Sequence, residues 1–243
     1  MRTHGVVQRH GRVHSVHDPH CVDPLPTWLF DPEALAARGL ICGSSDGRRA
    51  AWFFRLDGQA LVLRHYWRGG IVARFTPDVY VWTGATRTRS FREWHLLATL
   101  RQRDLPVPAP VAARANRQWA GYRADLVTRA IPDARPLDAC IRSGDADAAL
   151  WQRVGAVIGR CHAAGAWHAD LNVRNILVDA AGTPWLIDWD RGRLRATGRK
   201  WQQANLQRLR RSLTKAAELD AAAHANWCNL IAGYDAAPSA RMR

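Results

Sequence analysis

His168-Ala169-Asp170-Leu171-Asn172-Val173-Arg174-Asn175-Ile176-Leu177-Val178 is followed, after a short break, by Trp185-Leu186-Ile187-Asp188-Trp189-Asp190. The apolar runs Ile176-Leu177-Val178 and Trp185-Leu186-Ile187 flank Asp179-Ala180-Ala181-Gly182-Thr183-Pro184, whose Gly and Pro predict a hairpin turn between two short strands. Two antiparallel strands so joined deliver Asn175 and Asp188 to one rim. Asp170 lies five positions before that Asn, just ahead of the first strand.

That order and spacing matches the catalytic loop and metal-binding end of a kinase-type phosphotransferase. Moving a phosphoryl group from a nucleotide to a hydroxyl needs a carboxylate to accept the hydroxyl proton. It also needs oxygen ligands to hold Mg²⁺ on the triphosphate. Asp170 is the candidate catalytic base, and Asn175 and Asp188 are the candidate metal ligands. Mg²⁺ takes hard oxygen ligands and completes its shell with water and phosphate, so one Asn and one Asp suffice. A lone H-x-D would favour an ordinary surface loop; the whole string favours catalysis.

The chain has 243 residues, enough for one domain or two small lobes, and 47% are hydrophobic, enough for a core. The five Cys show no C-x-x-C pair, which points to reduced thiols and the cytosol. No apolar run approaches a membrane span, and the polar N-terminus does not resemble a secretory signal. The formal net charge is +14, nearly all of it from Arg, since Lys200 and Lys215 are the only lysines. Such a field favours an anionic partner, and Arg suits bidentate contact with phosphate or carboxylate. A genomic bias towards Arg is the plainer explanation of the same excess.

Residues 1–25, with His4, His10, His14, His17 and His20, read as a flexible leader rather than a metal site. Residues 26–130 read as a nucleotide-binding lobe and residues 131–243 as a catalytic and acceptor-binding lobe. Asp31 caps a short helix with Pro32 in its first turn. Gly43-Ser44-Ser45-Asp46-Gly47 lies between strands. Either Gly43 and Gly47 open a loop whose backbone N–H groups cover phosphate, or the segment is an ordinary hairpin turn. Ala60 to Tyr66 is a strand. Ser90 to Arg101 is a helix in which Ser90 and Glu93 form a capping box. Residues 105–110 are an extended connection, and Ala130-Ile131-Pro132 is a hinge. Leu150, Val154, Ile158 and Cys161 mark a helix ending near Gly165, with His162 structural. A further helix from Trp201 to Leu219 carries Leu206, Leu209 and Leu213 on one face.

Leu63-Arg64-His65-Tyr66-Trp67-Arg68-Gly69-Gly70, Arg87-Thr88-Arg89-Ser90-Phe91, Leu105 to Pro110, the catalytic string and Asn205-Leu206-Gln207-Arg208-Leu209 together resemble the lipopolysaccharide-core kinase family. The likeness runs from about residue 40 to about residue 215. It implies an α+β, bilobal protein-kinase-like fold with a small, mostly antiparallel β lobe and a larger, mostly helical one. It implies ATP and Mg²⁺ as cofactors. The implied reaction is phosphorylation of the 4-hydroxyl of a 3-deoxy-D-manno-octulosonic acid (Kdo) residue on lipid A. The implied place is the cytoplasmic face of the inner membrane, with peripheral attachment to its anionic surface. Protein kinases hold the α- and β-phosphates with a strand Lys, but here no Lys precedes residue 200. Arg64 stands on the matching strand, with Glu93 as its partner on the next helix; the alternative is a solvent-facing Arg64. Asp188-Trp189-Asp190 replaces D-F-G, and Asp190 either meets a second metal or caps the adjoining C-terminal segment.

An aminoglycoside-type or other small-molecule kinase is the alternative within the fold, but the positive field would repel a polycation. A basic nucleic-acid-binding protein is the alternative from another class, though no nucleic-acid motif is present. A catalytically dead scaffold conflicts with the presence of Asp170, Asn175 and Asp188 together.

Overall fold

The computed structural model describes residues 5–45, 51–67, 78–215 and 217–237. The chain divides into two compact units: residues 1–98 with 109–130, and residues 99–108 with 131–243. The two units are nearly equal in length.

The first unit is built on an antiparallel sheet. Its strands are β1 (Val6–His10), β2 (Val13–His17), β3 (Ile41–Ser44), β4 (Ala51–Leu56), β5 (Gln59–His65), β6 (Tyr80–Val81), β7 (Pro110–Gln118) and β8 (Gly121–Arg129). They are ordered β1-β2-β7-β8-β5-β4-β3, with β6 also paired to β8. The expectation of a patternless leader is therefore corrected. Residues 6–17 form a hairpin whose second strand pairs with β7 from Val13↔Asn116 to His17↔Ala112. Val16 and His17 are fully buried there. The partner strand lies about a hundred residues away, so nothing local reveals the pairing.

Side chains alternate across β5. Leu61 and Leu63 join a core with Phe54, Val111 and Val127, roofed by Leu29, Phe30 and Leu35 from α1 (Pro32–Ala37) and the 3₁₀ turn before it. Asp31 caps α1 as expected, its carboxylate accepting from Glu33 N–H at 3.0 Å. Arg64 and Tyr66 point instead to α2 (Arg89–Gln102). The capping box does not form. Ser90 is buried and donates to Arg114 O at 2.8 Å, and Glu93 turns to Arg64 and Tyr66.

The second unit is mainly helical: α3 (Leu137–Arg142), α4 (Ala148–Ala163), α5 (Arg199–Leu213) and α6 (Ala217–Ala236). Its strands are short: β9 (Arg135–Pro136), β10 (Ala166–Trp167), β11 (Ile176–Val178), β12 (Pro184–Leu186) and β13 (Arg193–Leu194). Helices α4 and α6 meet backbone to backbone at glycines. A Cβ on Gly155 would fall 1.9 Å from Leu230 O, and one on Gly233 would fall 2.0 Å from Gln152 O. Segment 99–108 belongs here because Leu186 N–H donates to Pro106 O at 3.0 Å and Arg103 donates to Ala164 O at 2.7 Å. The helix expected to run from residue 201 to 219 stops at Leu213. There the Thr214 hydroxyl takes the free carbonyl of Arg211 at 3.0 Å, and a new helix starts at Ala217.

Candidate active site

The hairpin read from the sequence is present: β11 and β12 pair at Ile176↔Leu186, Leu177↔Trp185 and Val178↔Pro184. Asp179 organises its turn. Its carboxylate accepts from Thr183 N–H at 2.8 Å, Ala181 N–H at 3.0 Å and the Trp185 indole at 2.8 Å. Burial works against the charge, but the indole and the two N–H donors together hold the carboxyl below its usual range.

His168 ties the loop before this hairpin to the strand after it. Its Nδ1 accepts from Asp170 N–H at 3.1 Å, so the proton sits on Nε2, which donates to Ile187 O at 2.9 Å. Burial pushes its pKa down, and the imidazole stays neutral. The buried Trp189 ring lies 4.7 Å from it. His168 is thus a strut and not a base.

Asp170 projects from this frame with its side chain 52% exposed. Its backbone carbonyl accepts from Asn175 Nδ2 at 2.9 Å and Asn172 Nδ2 at 3.0 Å. Asn172 Oδ1 accepts from Arg174 N–H at 2.9 Å and Asn175 N–H at 3.2 Å, which sets the 3₁₀ turn Val173–Asn175. Ile187 N–H donates to Asn175 O at 3.0 Å, so Asn175 is joined to the residue just before Asp188.

The donor set fits a hard divalent cation. A carbonyl can only accept, so the contact with Asp170 O fixes the Asn175 amide with nitrogen inward and would leave Oδ1 as the atom to face a cation. Asp188 takes the left-handed backbone conformation, φ 59°. That is unusual for a non-glycine residue and recurs where a side chain must be aimed. Among the described residues no group of three or more His, Cys, Asp or Glu is gathered. An Asn–Asp pair does not need one. Asp190 begins the turn into β13, closed by Gly192 N–H on Trp189 O at 2.8 Å.

Helix α5 supplies what the sequence reading missed. Asn205, Arg208 and Ser212 lie three and four residues apart, hence on one face. Asn205 Nδ2 donates to His168 O at 2.9 Å, and its Oδ1 faces His162 Nε2 at 3.3 Å. Ser212 accepts from Val173 N–H at 3.0 Å. Arg208 donates twice to one oxygen of Asp170, at 2.9 Å from Nε and 2.6 Å from Nη2. Leu209 and Leu213 are buried on α5 as expected, but the neighbouring buried polar pair serves the loop. His162 is structural, its pKa pushed down to about 4 by burial, with the Tyr234 hydroxyl 2.9 Å from Nδ1.

In the first unit Arg64 and Glu93 meet as expected. Arg64 Nη2 donates to Glu93 Oε1 at 2.5 Å, and the Tyr66 hydroxyl donates to Oε2 at 2.6 Å. Glu93 is 3% exposed and Arg64 26%. His65 points elsewhere, with Nδ1 2.7 Å from Asp125, which also accepts from Arg114 at 2.8 Å. Gly43 lies within β3 at a bulge rather than in the loop, in open space. β3 pairs antiparallel with β4, and Ala51 N–H donates to the Ser45 hydroxyl at 2.8 Å; residues 46–50 between them lie outside the described residues. Gly47, Arg68, Gly69, Gly70 and Arg74 lie outside the described residues.

The model of the lipopolysaccharide kinase (Kdo/WaaP) family matches residues 33–234. The chain belongs to this family. It is similar to proteins named 3-deoxy-D-manno-octulosonic acid kinase. One, from Stenotrophomonas maltophilia (strain K279a), is 44% identical over 77% of this chain and 74% of that protein. One from Xanthomonas euvesicatoria pv. vesicatoria (strain 85-10) is 46% identical over the same shares. One from Vibrio vulnificus (strain YJ016) is 39% identical over 86% of this chain and 88% of that protein. The chain is therefore a phosphotransferase of the kinase class, which implies use of ATP.

Proposed function

We propose that this chain phosphorylates the 4-hydroxyl of a Kdo residue on lipid A, using ATP, on a bilobal protein-kinase-like frame. The observation that carries the reading is Asp170: an exposed carboxylate on a loop held by hydrogen bonds, followed by Asn175 and Asp188, in a chain whose relatives bear the Kdo kinase name. Asp170 accepts the proton of the attacking hydroxyl as its oxygen bonds to the γ-phosphorus and the bond to ADP breaks. Asn175 and Asp188 hold Mg²⁺, which when bound neutralises triphosphate charge. Arg64, fixed by Glu93 and Tyr66, contacts the α- and β-phosphates in place of Lys.

The protein works at the cytoplasmic face of the inner membrane, held peripherally by its positive charge. No helix among the described residues is long and apolar enough to cross a membrane. Not every basic residue serves this attachment: Arg89 is engaged with the Tyr80 hydroxyl at 2.7 Å, and Arg193 and Arg195 stack on Trp167. At the β7–β8 turn Trp119 is 91% exposed and Val81, on the adjoining strand, 70%. These are apolar anchors of the kind found at membrane interfaces.

The test is incubation with labelled ATP, Mg²⁺ and Kdo-lipid A, with the phosphate located by mass spectrometry. Label on the Kdo 4-hydroxyl is the expected result; its absence from Kdo rejects the reading. Binding to anionic vesicles that weakens with salt supports the location. Equal binding to neutral vesicles counts against it.

A further inference from the structure

A groove of 790 Å³ opens beside Asp170 in the second unit, formed by α3, the catalytic loop and the C-terminal end of α5 with the turn after it. That volume suits a small polar molecule or the head of a larger one. Val173 and Leu219, both nearly buried, lie beneath it.

Its cations are of two kinds. Arg142, Arg174 and Arg208 each have an acidic partner: Glu218 at 3.3 Å, Asp138 at 3.4 Å and Asp170 at 2.6 Å. Arg211 and Lys215 also line the groove, and among the described residues neither enters an ion pair. Both are exposed. Complementing the C-terminal dipole of α5 accounts for only about half a charge. About one and a half positive charges therefore remain unmatched, on two side chains that line a cavity also lined by Asp170.

We propose that this groove is the acceptor site, and that Arg211 and Lys215 bind the carboxylate of a sugar acid while the hydroxyl to be phosphorylated faces Asp170. The assignment rests on the function proposed above and names the residues that would select its substrate. A guanidinium grips a carboxylate through paired N–H donors, and an adjacent ammonium adds a point charge. A neutral sugar would leave both cations without a partner, so the groove discriminates by charge.

The experiment compares kcat/KM for Kdo-lipid A with that for its Kdo methyl ester, in wild type, in Arg211→Ala/Lys215→Ala and in Arg12→Ala/Arg55→Ala. The last variant removes the same charge from exposed positions in the first unit. Two charge-assisted contacts of about tenfold each predict that wild type prefers the acid by roughly a hundredfold. The preference should collapse towards one in Arg211→Ala/Lys215→Ala and persist in Arg12→Ala/Arg55→Ala. An unchanged preference in the groove variant overturns the assignment, and so does a wild type that treats acid and ester alike. A third arm uses acceptor stripped of its lipid A phosphates. If the variant's defect vanishes there, the two cations read phosphate and not the sugar acid. If wild type phosphorylates neither acid nor ester, the acceptor itself is wrong, which is a failure distinct from these.

Discussion

Two arginine–carboxylate pairs, one in each unit, have nearly the same contact length and differ in everything else. Arg64 meets Glu93 at 2.5 Å, with the carboxylate 3% exposed and Tyr66 on its second oxygen. Arg208 meets Asp170 at 2.6 Å, with both side chains about half exposed. The first carboxylate has left water and depends on its partners. The second keeps water within reach, and its arginine occupies only one of its oxygens. A buried pair fixes geometry, and breaking it strands a charge. An exposed pair costs little to open, so a substrate hydroxyl can compete for the carboxylate.

The strongest test of this contrast is Asp170→Asn. If the exposed carboxylate takes the proton, turnover falls by about 10²–10⁴-fold, while the melting temperature and ATP affinity stay near wild type. Phosphate transfer at close to the wild-type rate would remove Asp170 from the chemistry.

Arg64→Ala should show the opposite profile. Removing the Arg64 guanidinium from the buried Glu93 carboxylate is expected to cost about 3 kcal/mol in urea unfolding, and to raise the KM for ATP if Arg64 contacts phosphate. Arg64→Lys restores a charge but not the planar fork. Recovery of stability without recovery of ATP affinity would separate the two roles. Full stability in Arg64→Ala would show that Glu93 is not dependent on the pair.

The legibility of these sites follows the same division. Asp170, Asn175 and Asp188 could be read because one short loop and one hairpin carry all three, with turn chemistry written in Asp179 and Gly182. Arg64 with Glu93 was legible only through family likeness. Tyr66, which completes the pair, gave no separate signal. Asn205 and Arg208 were seen only as part of the family likeness, and Ser212 not at all, because they lie about thirty residues or more beyond the loop, on a helix whose leucines drew the reading. The spacing N-x-x-R-x-x-x-S on one face was available as a signal, but nothing local says which element that face will meet. The capping box failed because tertiary partners outcompete it: Ser90 and Glu93 each found a better contact in the folded unit. The N-terminal hairpin was missed because β7, which holds it, is far along the chain.

The buried frame behind Asp170 should respond to pH. His162 has a folded pKa of about 4 against about 6.5 when unfolded, and His168 is lowered in the same direction. The unfolded chain therefore binds more protons between these values. Stability is fully present above about pH 6.5 and is lost as pH falls towards about 4, by up to about 3 kcal/mol for His162. Unfolding measured across that window should take up about one proton fewer in His162→Gln than in wild type. An identical pH dependence in both proteins would mean that His162 is not held neutral by burial.

The smallest expected effect completes the contrast. Arg208→Ala removes a pair in which both members already contact water, so unfolding should change by only about 0.5 kcal/mol, a shift of roughly 1–2 °C in Tm. The loop does not depend on it: His168, Asn172, Asn175, Asn205 and Ser212 hold its backbone without any charge. The distinction fails if Arg208→Ala loses as much stability as Arg64→Ala, because Asp170 would then be anchored as firmly as Glu93. If stability holds while kcat changes, Arg208 acts through its contact with the Asp170 carboxylate and not through the fold.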